Sequence, residues 1–190
     1  MTREERILAI IEDTDKNFAP YYDLLPSLIR ERGYQFGVEV GVFCGGHALA
    51  ILEADVKMLI GIDPYEMFEN NGLGLNDQED WDCMHDTAMG RLTDKRYFHL
   101  RKHSDDTDFL ARHSQSGFDF VFIDGLHTYE QVKKDLDRYS KFIRPGGVVA
   151  CHDYDHPHFP GVTMAIREFA AKHGLEIVIG PLYAIYMDWV

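Results

Sequence analysis

Two short stretches of the chain combine acidic residues with histidines, and each follows an apolar run. Asp124 and His127 come after one run, and His152 and Asp153 come after another. If the two runs form parallel neighbouring strands, their carboxyl ends open onto one crevice, where Asp124 and Asp153 converge. Two carboxylates with a histidine between them suit a divalent cation such as Mg²⁺ or Mn²⁺. The pattern therefore predicts a metal site at the ends of two strands.

Such a site is suited to chemistry on a hydroxyl group. An alcohol keeps its proton far above neutral pH, and a divalent cation lowers that pKa and orients the oxygen. A histidine within reach then accepts the proton near neutral pH. His127 lies three residues after Asp124 and faces the same crevice. We expect Asp124 and His127 to be the catalytic residues, with His127 as the general base.

A glycine-containing turn earlier in the chain is the candidate cofactor site. The strand Phe36–Val40 runs into the sequence GVFCGG, which starts at Gly41 and includes Gly45. Glycines allow a sharp turn and a close approach of a ligand to the backbone. Asp63 ends the next apolar run, where an acid can accept hydrogen bonds from both ribose hydroxyls. The order of strand, turn, helix, strand and acid favours a nucleotide-type cofactor.

Charge at this turn separates two cofactor classes. Phe43 stands where the dinucleotide motif GxGxxG carries a glycine that admits a pyrophosphate. Glu39 ends the preceding strand, and its carboxylate would repel a pyrophosphate but attract the cationic amino-acid part of a sulfonium. The turn thus favours S-adenosylmethionine over NAD. A glycine turn without a ligand remains the alternative.

The elements that must position these residues alternate between short apolar runs and helical stretches. This alternation is typical of a mostly parallel sheet with helices on both faces. We predict one domain, with N-terminal helices over residues 1–33 and a doubly wound, Rossmann-like α/β core over residues 34–190. Strands are expected at 36–40, 58–62, 97–100, 118–123 and 148–151, with an antiparallel hairpin at 176–179 and 182–187 that makes seven strands. Helices are expected at 3–12, 21–32, 45–54, 79–92, 105–113, 128–142 and 161–173, with Pro20 between the first two and a turn at residues 145–147.

Residues 66–80 lack apolar periodicity and are rich in asparagine and glycine, so they are predicted to form a long loop. Loops of this length often close over a site. A plain surface excursion is the alternative.

Composition and charge exclude several partners. The net charge of -13 opposes a nucleic-acid backbone, whose binding depends on Lys and Arg. No apolar run approaches the roughly 20 residues that span a bilayer. The three cysteines are odd in number and widely spaced, which favours free thiols in a reducing compartment. Since the N-terminus has no signal-peptide pattern, we expect a cytoplasmic protein that acts on a small neutral or cationic molecule.

The turn resembles a known motif. The residues EVGVFCG, starting at Glu39, are similar to the first motif of class I S-adenosylmethionine-dependent methyltransferases, in the form ExGxxxG of the caffeoyl-CoA and catechol O-methyltransferase group. Ile62 and Asp63 resemble the second motif, and Ser104 and Asp105 match the position that contacts the adenine. Ser followed by Asp is also an ordinary helix N-cap. The resemblance implies the cofactor-binding residues Glu39, Gly41, Phe43, Gly45, Asp63, Ser104, Asp105 and Asp124.

The sequences DGLHTYE and PGGVVACHDYD resemble bacterial macrolide-sugar O-methyltransferases of the macrocin type and the related cephalosporin hydroxylase-like proteins. This resemblance implies that Asp124, His152 and Asp153 bind a metal and that His127 is the base. Relatives usually carry an acidic residue where this chain has His152, and an imidazole ligand favours Mn²⁺ or Fe²⁺ over Mg²⁺. His152 as a substrate contact or as a support to the ligands is the alternative.

The sequence therefore predicts an S-adenosylmethionine-dependent, metal-assisted O-methyltransferase for a small-molecule hydroxyl, for example on a glycoside. One alternative keeps the fold without methyl transfer, as a hydroxylase-like protein or a binding module. An NAD-dependent oxidoreductase is disfavoured by Glu39 and Phe43. A nucleic-acid methyltransferase is disfavoured by the charge and by the lack of an Asn/Asp-Pro-Pro-aromatic motif. The resemblance is compatible with a homo-oligomer and leaves the acceptor open.

Overall fold

A seven-stranded sheet forms the centre of the structure, a computed structural model that describes residues 1–19, 21–68, 74–113 and 117–190. Its strands are β1 Phe36–Val40, β2 Met58–Ile62, β3 Tyr97–Leu100, β4 Phe118–Ile123, β5 Ile143–Cys151, β6 Val178–Ile179 and β7 Ile185–Asp188. They lie in the order β3-β2-β1-β4-β5-β7-β6. Strands β1 to β5 are parallel, whereas β7 is antiparallel to β5 and β6. The predicted doubly wound α/β class with its C-terminal antiparallel pair is confirmed.

Helices flank both faces of this sheet. Among the described residues they are α1 Arg3–Phe18, α2 Leu24–Arg32, α3 Gly46–Glu53, α4 Gln78–Arg91, α5 Asp108–His113, α6 Tyr129–Tyr139 and α7 Pro160–His173, with 3-10 turns at Tyr21–Asp23 and Ser140–Phe142. Helices α6 and α7 pack on one face and α2 and α3 on the other. All six residues of β4 are buried because this central strand is covered on both faces. Helix α1 extends to Phe18, beyond the predicted end at residue 12, and Pro20 lies outside the described residues.

The start of β5 differs from the prediction. Strand β5 begins at Ile143, although a turn was expected at residues 145–147. The pairing with β4 shifts there, from Phe118 opposite Ile143 to Phe120 opposite Val148. The glycines and proline therefore form a bulge inside the strand, because a bulge accommodates extra residues without ending the ladder.

The C-terminal hairpin is shorter than predicted, since β6 and β7 cover 178–179 and 185–188. Leu182 and Tyr183, expected in the second strand, instead have φ angles of 46° and 64°. Left-handed backbone of this kind is uncommon for bulky residues. These two residues form a loop that reaches the end of β5, where their carbonyl oxygens accept hydrogen bonds from His152 and Tyr154.

Helix α1 is fixed to α4 by a buried carboxylate. Asp80 is fully buried and accepts hydrogen bonds from Arg3 Nε at 2.8 Å and from Arg6 Nη2 at 2.6 Å. The backbone N–H of Asn76 donates a further bond to it, at 2.8 Å. This contact, which we call the α1–α4 clamp, holds the N-terminal helix against the rest of the chain.

The segment between β2 and α4 is an irregular connection as far as it is described. Residues 69–73 lie outside the described part of the chain, and α4 already begins at Gln78. The closure of residues 66–80 over the site stays a prediction. Within the described ranges, none of the helices has the length and apolar character to cross a bilayer.

Candidate active site

The predicted acidic residues meet at the carboxyl ends of β4 and β5. These strands are parallel neighbours, with Ile123 opposite Cys151. Asp124 follows one and Asp153 follows the other. Backbone hydrogen bonds fix both ends, because Asp124 N–H donates to Val40 O at 2.8 Å and His152 N–H donates to Ile123 O at 3.2 Å.

Four side chains form what we call the acid–histidine cluster: Asp124, His127, His152 and Asp153. His127 Nε2 lies 3.3 Å from Asp124 Oδ1 and 3.2 Å from Asp153 Oδ2. His152 Nδ1 lies 3.6 Å from Asp124 Oδ1 and 3.4 Å from Asp153 Oδ1. Both predicted carboxylates and both predicted histidines are therefore in mutual contact.

The electrostatics of the cluster follow from two acids and two bases in a buried place. Burial opposes the charged form of His152, but the carboxylates of Asp124 and Asp153 outweigh it and raise the pKa of His152 to about 10. The pKa of His127 is also raised, against the effect of burial, by Asp124 and then Asp153. Burial would raise the pKa of Asp124, yet the two histidines hold it well below its usual value. The cluster thus favours the charged forms of Asp124 and of the two histidines that face it.

A hydrogen bond defines which nitrogen of His152 faces the carboxylates. His152 Nε2 donates to Leu182 O at 2.8 Å, from the left-handed loop between β6 and β7. When the ring is neutral, Nδ1 then carries the lone pair and points to the two acids. Metal-binding histidines usually donate their other ring N–H in this way.

The geometry fits a cation. One ligand atom from each of Asp124, His152 and Asp153 lies within 4.8 Å of the others. Ligands about 2.0–2.2 Å from a shared Mg²⁺ or Mn²⁺ must lie within about 4.4 Å of one another, so small side-chain movements suffice. The three residues are those predicted as ligands, and their role as metal ligands stays a prediction.

The predicted cofactor carboxylate on β1 has one oxygen without a partner among the described residues. Glu39 is 1% exposed, and its Oε1 lies 2.9 Å from His47 Nδ1. Its Oε2 is buried and accepts no hydrogen bond from any residue that the structure describes, and His47 Nε2 is likewise without a partner among those residues. Burial raises the pKa of Glu39. Since an unsatisfied buried polar atom is costly, Oε2 is a candidate acceptor for a ligand donor.

Asp63 shapes the glycine turn. Its Oδ2 accepts from the backbone N–H groups of Val42 at 2.9 Å and Phe43 at 3.0 Å, and its Oδ1 accepts from Tyr65 N–H at 2.9 Å. Phe43 takes a left-handed φ of 48° in this turn. The sequence predicted Asp63 as a ribose contact and missed this backbone role, because no local motif marks it.

Two of the turn's glycines, Gly41 and Gly45, permit close packing. A Cβ at Gly41 would lie 2.0 Å from the carbonyl oxygen of Asp124, and Gly41 has a φ of 86°. A Cβ at Gly45, whose φ is 78°, would lie 2.8 Å from Leu92 Cδ1. Gly41 therefore brings the cofactor turn into direct contact with the backbone of Asp124, whose side chain belongs to the acid–histidine cluster.

Ser104 and Asp105 contact α6. Ser104 Oγ accepts from Gln131 Nε2 at 2.9 Å, and Asp105 pairs with Arg138. Helix α5 begins at Asp108, so the alternative of Ser104 as its N-cap is wrong. Their predicted contact with an adenine remains untested by this geometry.

One residue of the site was missed by sequence reasoning. Tyr21, before α2, donates its hydroxyl to Asp124 Oδ2 at 3.3 Å. No motif could have indicated it, because the two residues are 103 positions apart and meet only through the packing of the N-terminal segment.

Comparisons with known proteins agree with this geometry. Residues 38–154 match the model of a protein family described as methyltransferase domain. An uncharacterized protein of Acanthamoeba polyphaga mimivirus is 31% identical over 138 residues, which cover 70% of this chain and 58% of that protein. The chain thus spans less than two thirds of the length of this curated relative.

Two solved structures share the fold. One is the O-methyltransferase TomG from Streptomyces achromogenes, involved in tomaymycin synthesis and determined in complex with SAM, with a TM-score of 0.66, 18% identity, and coverage of 98% of this chain and 90% of TomG. The other is the MycE methyltransferase of the mycinamycin biosynthetic pathway, determined in complex with Mg and SAH. Its TM-score is 0.58 and its identity 17%, over 90% of this chain and 49% of MycE.

Proposed function

Because the chain belongs to the methyltransferase-domain family, we propose that it is an S-adenosylmethionine-dependent O-methyltransferase that uses a divalent cation to activate a small-molecule hydroxyl. The single observation that carries the proposal is that the acid–histidine cluster lies beside the glycine turn, because Gly41 packs against the backbone of Asp124. Family membership supports methyl transfer, and the fold shared with an O-methyltransferase in complex with SAM supports that cofactor.

Glu39 Oε2, which has no partner in the described part of the chain, fits the ammonium group of S-adenosylmethionine. A buried carboxylate oxygen without a donor is what a cationic amino-acid group would satisfy. Gly41, Phe43 and Gly45 supply the turn along which the methionine end would lie. The same oxygen would repel a pyrophosphate, so NAD is not the cofactor we propose.

The rest of the cofactor would extend from the turn toward β3. Both oxygens of Asp63 already accept backbone hydrogen bonds, yet a carboxylate has about four lone-pair sites and keeps capacity for a ribose hydroxyl. Ser104 and Asp105 would lie on the adenine side. Asp124 would border both the cofactor and the acceptor, since the Gly41 backbone touches it.

A cation would be held by Asp124, His152 and Asp153. When bound, it would lower the pKa of the acceptor hydroxyl and orient its oxygen. The presence of Mg in the MycE structure is consistent with this proposal. An imidazole among the ligands favours Mn²⁺ at least as much as Mg²⁺.

His127 is the base that we propose. Its Nε2 sits between a carboxylate oxygen of Asp124 and one of Asp153, which orient the ring and stabilise the imidazolium that proton uptake produces. The net reaction breaks the bond between the sulfonium sulfur and its methyl carbon, forms a carbon–oxygen bond and releases the hydroxyl proton. The acceptor is a small molecule, and a glycoside hydroxyl is the class that we would test first.

Binding and turnover test the proposal separately. Calorimetry should show that S-adenosylmethionine and S-adenosylhomocysteine bind and that NAD binds far more weakly. A screen of hydroxylated glycosides and phenols, read by homocysteine release, would then identify the acceptor. Tighter binding of NAD would contradict the cofactor assignment.

A further inference from the structure

Tyr21 is a buried residue of the N-terminal segment that reaches the acid–histidine cluster. It opens the 3-10 turn Tyr21–Asp23 and is 6% exposed. This turn lies outside residues 38–154, which match the methyltransferase-domain family. The cluster itself lies at the end of β4 and β5, so two distant parts of the chain meet here.

The side chain of Tyr21 touches two of the proposed metal ligands. Its hydroxyl donates to Asp124 Oδ2 at 3.3 Å. Its ring stacks on the imidazole of His152, with centroids 4.2 Å apart and planes inclined by 28°. Phe18, at the end of α1, presents its edge to the same imidazole at 6.0 Å.

These contacts leave one proposed ligand atom of Asp124 and one of His152 facing the acid–histidine cluster. Asp124 Oδ2 is engaged by Tyr21, whereas Oδ1 faces His127 and His152. The His152 ring is held at Nε2 by Leu182 O and on its face by Tyr21, which leaves Nδ1 directed at the acids. Partners of this kind orient metal ligands and are costly to remove.

We propose that Tyr21 is a positioning residue of the metal site and that the N-terminal segment thereby completes that site. This inference rests on the proposed function, since it takes Asp124 and His152 as ligands. If Tyr21 served only core packing, its ring would be needed and its hydroxyl would be dispensable. The substitution Tyr21→Phe separates the two roles, because it removes the hydroxyl and keeps the ring.

The test is the affinity for Mn²⁺ of the unliganded protein, measured by electron paramagnetic resonance or calorimetry. Tyr21→Phe should weaken Mn²⁺ binding by about 10- to 100-fold. The matched control is Tyr34→Phe, because Tyr34 is also a buried tyrosine and donates its hydroxyl to Gly146 O at 2.8 Å, inside the β5 bulge. The control should leave Mn²⁺ affinity unchanged while lowering the Tm to a similar extent.

A second variant guards against a purely structural effect. Tyr21→Leu removes the stacked ring as well and should weaken Mn²⁺ binding at least as strongly as Tyr21→Phe. Wild-type affinity in Tyr21→Phe would overturn the positioning role while leaving the metal site standing. Absence of Mn²⁺ binding by the wild-type protein would instead overturn the metal site, and this inference with it.

Discussion

Replacing Glu39 by glutamine tests the cofactor site most directly. The glutamine side chain would keep an oxygen for His47 Nδ1, which lies 2.9 Å from the native carboxylate. The change removes the negative charge and would place an amide NH₂ where the unpaired Oε2 now lies. A hydrogen bond to a charged group contributes about 1.5–3 kcal/mol. At about 1.4 kcal/mol per tenfold, Glu39→Gln should weaken S-adenosylmethionine binding about 10- to 100-fold.

The same substitution should not destabilise the cofactor-free protein. Burial raises the pKa of Glu39, so the folded chain binds a proton at this carboxyl more tightly than the unfolded chain does. The stability that this tighter proton binding contributes is present at acid pH. It is lost as the pH rises from the pKa of Glu39 in the unfolded chain through its raised pKa in the folded chain. A neutral glutamine carries no such loss. Glu39→Gln should therefore unfold at the same or a higher urea concentration than wild type at neutral pH.

Calorimetric titration with S-adenosylmethionine and urea denaturation measure the two effects. Glu53→Gln is the matched control, because Glu53 ends α3 and is exposed to solvent. It should change neither cofactor affinity nor stability. Unaltered cofactor affinity in Glu39→Gln, or a loss of affinity that is matched by loss of folding, would refute the reasoning.

Three further predictions concern the metal, the base and the N-terminal helix. Dialysis against EDTA should abolish turnover and leave cofactor binding largely intact, and Mn²⁺ should restore activity at least as well as Mg²⁺; full activity after chelation would contradict the metal site. His127→Ala should lower kcat about 10²- to 10⁴-fold with little change in cofactor or Mn²⁺ affinity. The control His173→Ala, at the end of α7, should leave kcat unchanged. Near-normal turnover in His127→Ala would show that another group is the base. Hydrogen bonds from Arg6 and Arg3 hold the pKa of Asp80 low, so Asp80→Asn should lower the Tm at neutral pH. Because protonation of Asp80 removes this stabilisation, the difference in Tm between wild type and variant should become smaller in acid. Equal Tm values at neutral pH would argue against the α1–α4 clamp.

Much of the fold was predictable because the apolar pattern of the sequence is strongest in the strands that are completely buried. Strand β4 is apolar except for Asp119 and is buried along its whole length. Parallel neighbours must end at the same edge of the sheet, so the convergence of Asp124 and Asp153 followed from their place in the chain. Membership in the methyltransferases, inferred from the turn at Glu39 and the residues after β4 and β5, is confirmed by the family match.

What was not predictable depends on tertiary contacts. The contact of Tyr21 with Asp124 joins residues 103 positions apart, where Tyr21 packs with the residues of α2 and α3, and no local pattern encodes that packing. The left-handed backbone of Leu182 conflicts with its apolar character, which favoured a strand. The hydrogen bond that the carbonyl of Leu182 accepts from His152 offers a reason for this conformation, because strained backbone tends to occur at functional sites.

The contact at Gly41 has a thermodynamic consequence. The backbone of the cofactor turn packs so closely on the backbone of Asp124 that no methyl group fits between them, since a Cβ at Gly41 would lie 2.0 Å from Asp124 O. If S-adenosylmethionine and Mn²⁺ each shift this shared backbone, their free energies of binding are linked. Linkage is reciprocal: the factor by which Mn²⁺ changes the Kd of S-adenosylmethionine must equal the factor by which S-adenosylmethionine changes the Kd of Mn²⁺. Two titrations, each done with and without the other ligand, give that factor twice, and a value of one in both would show that Gly41 transmits nothing.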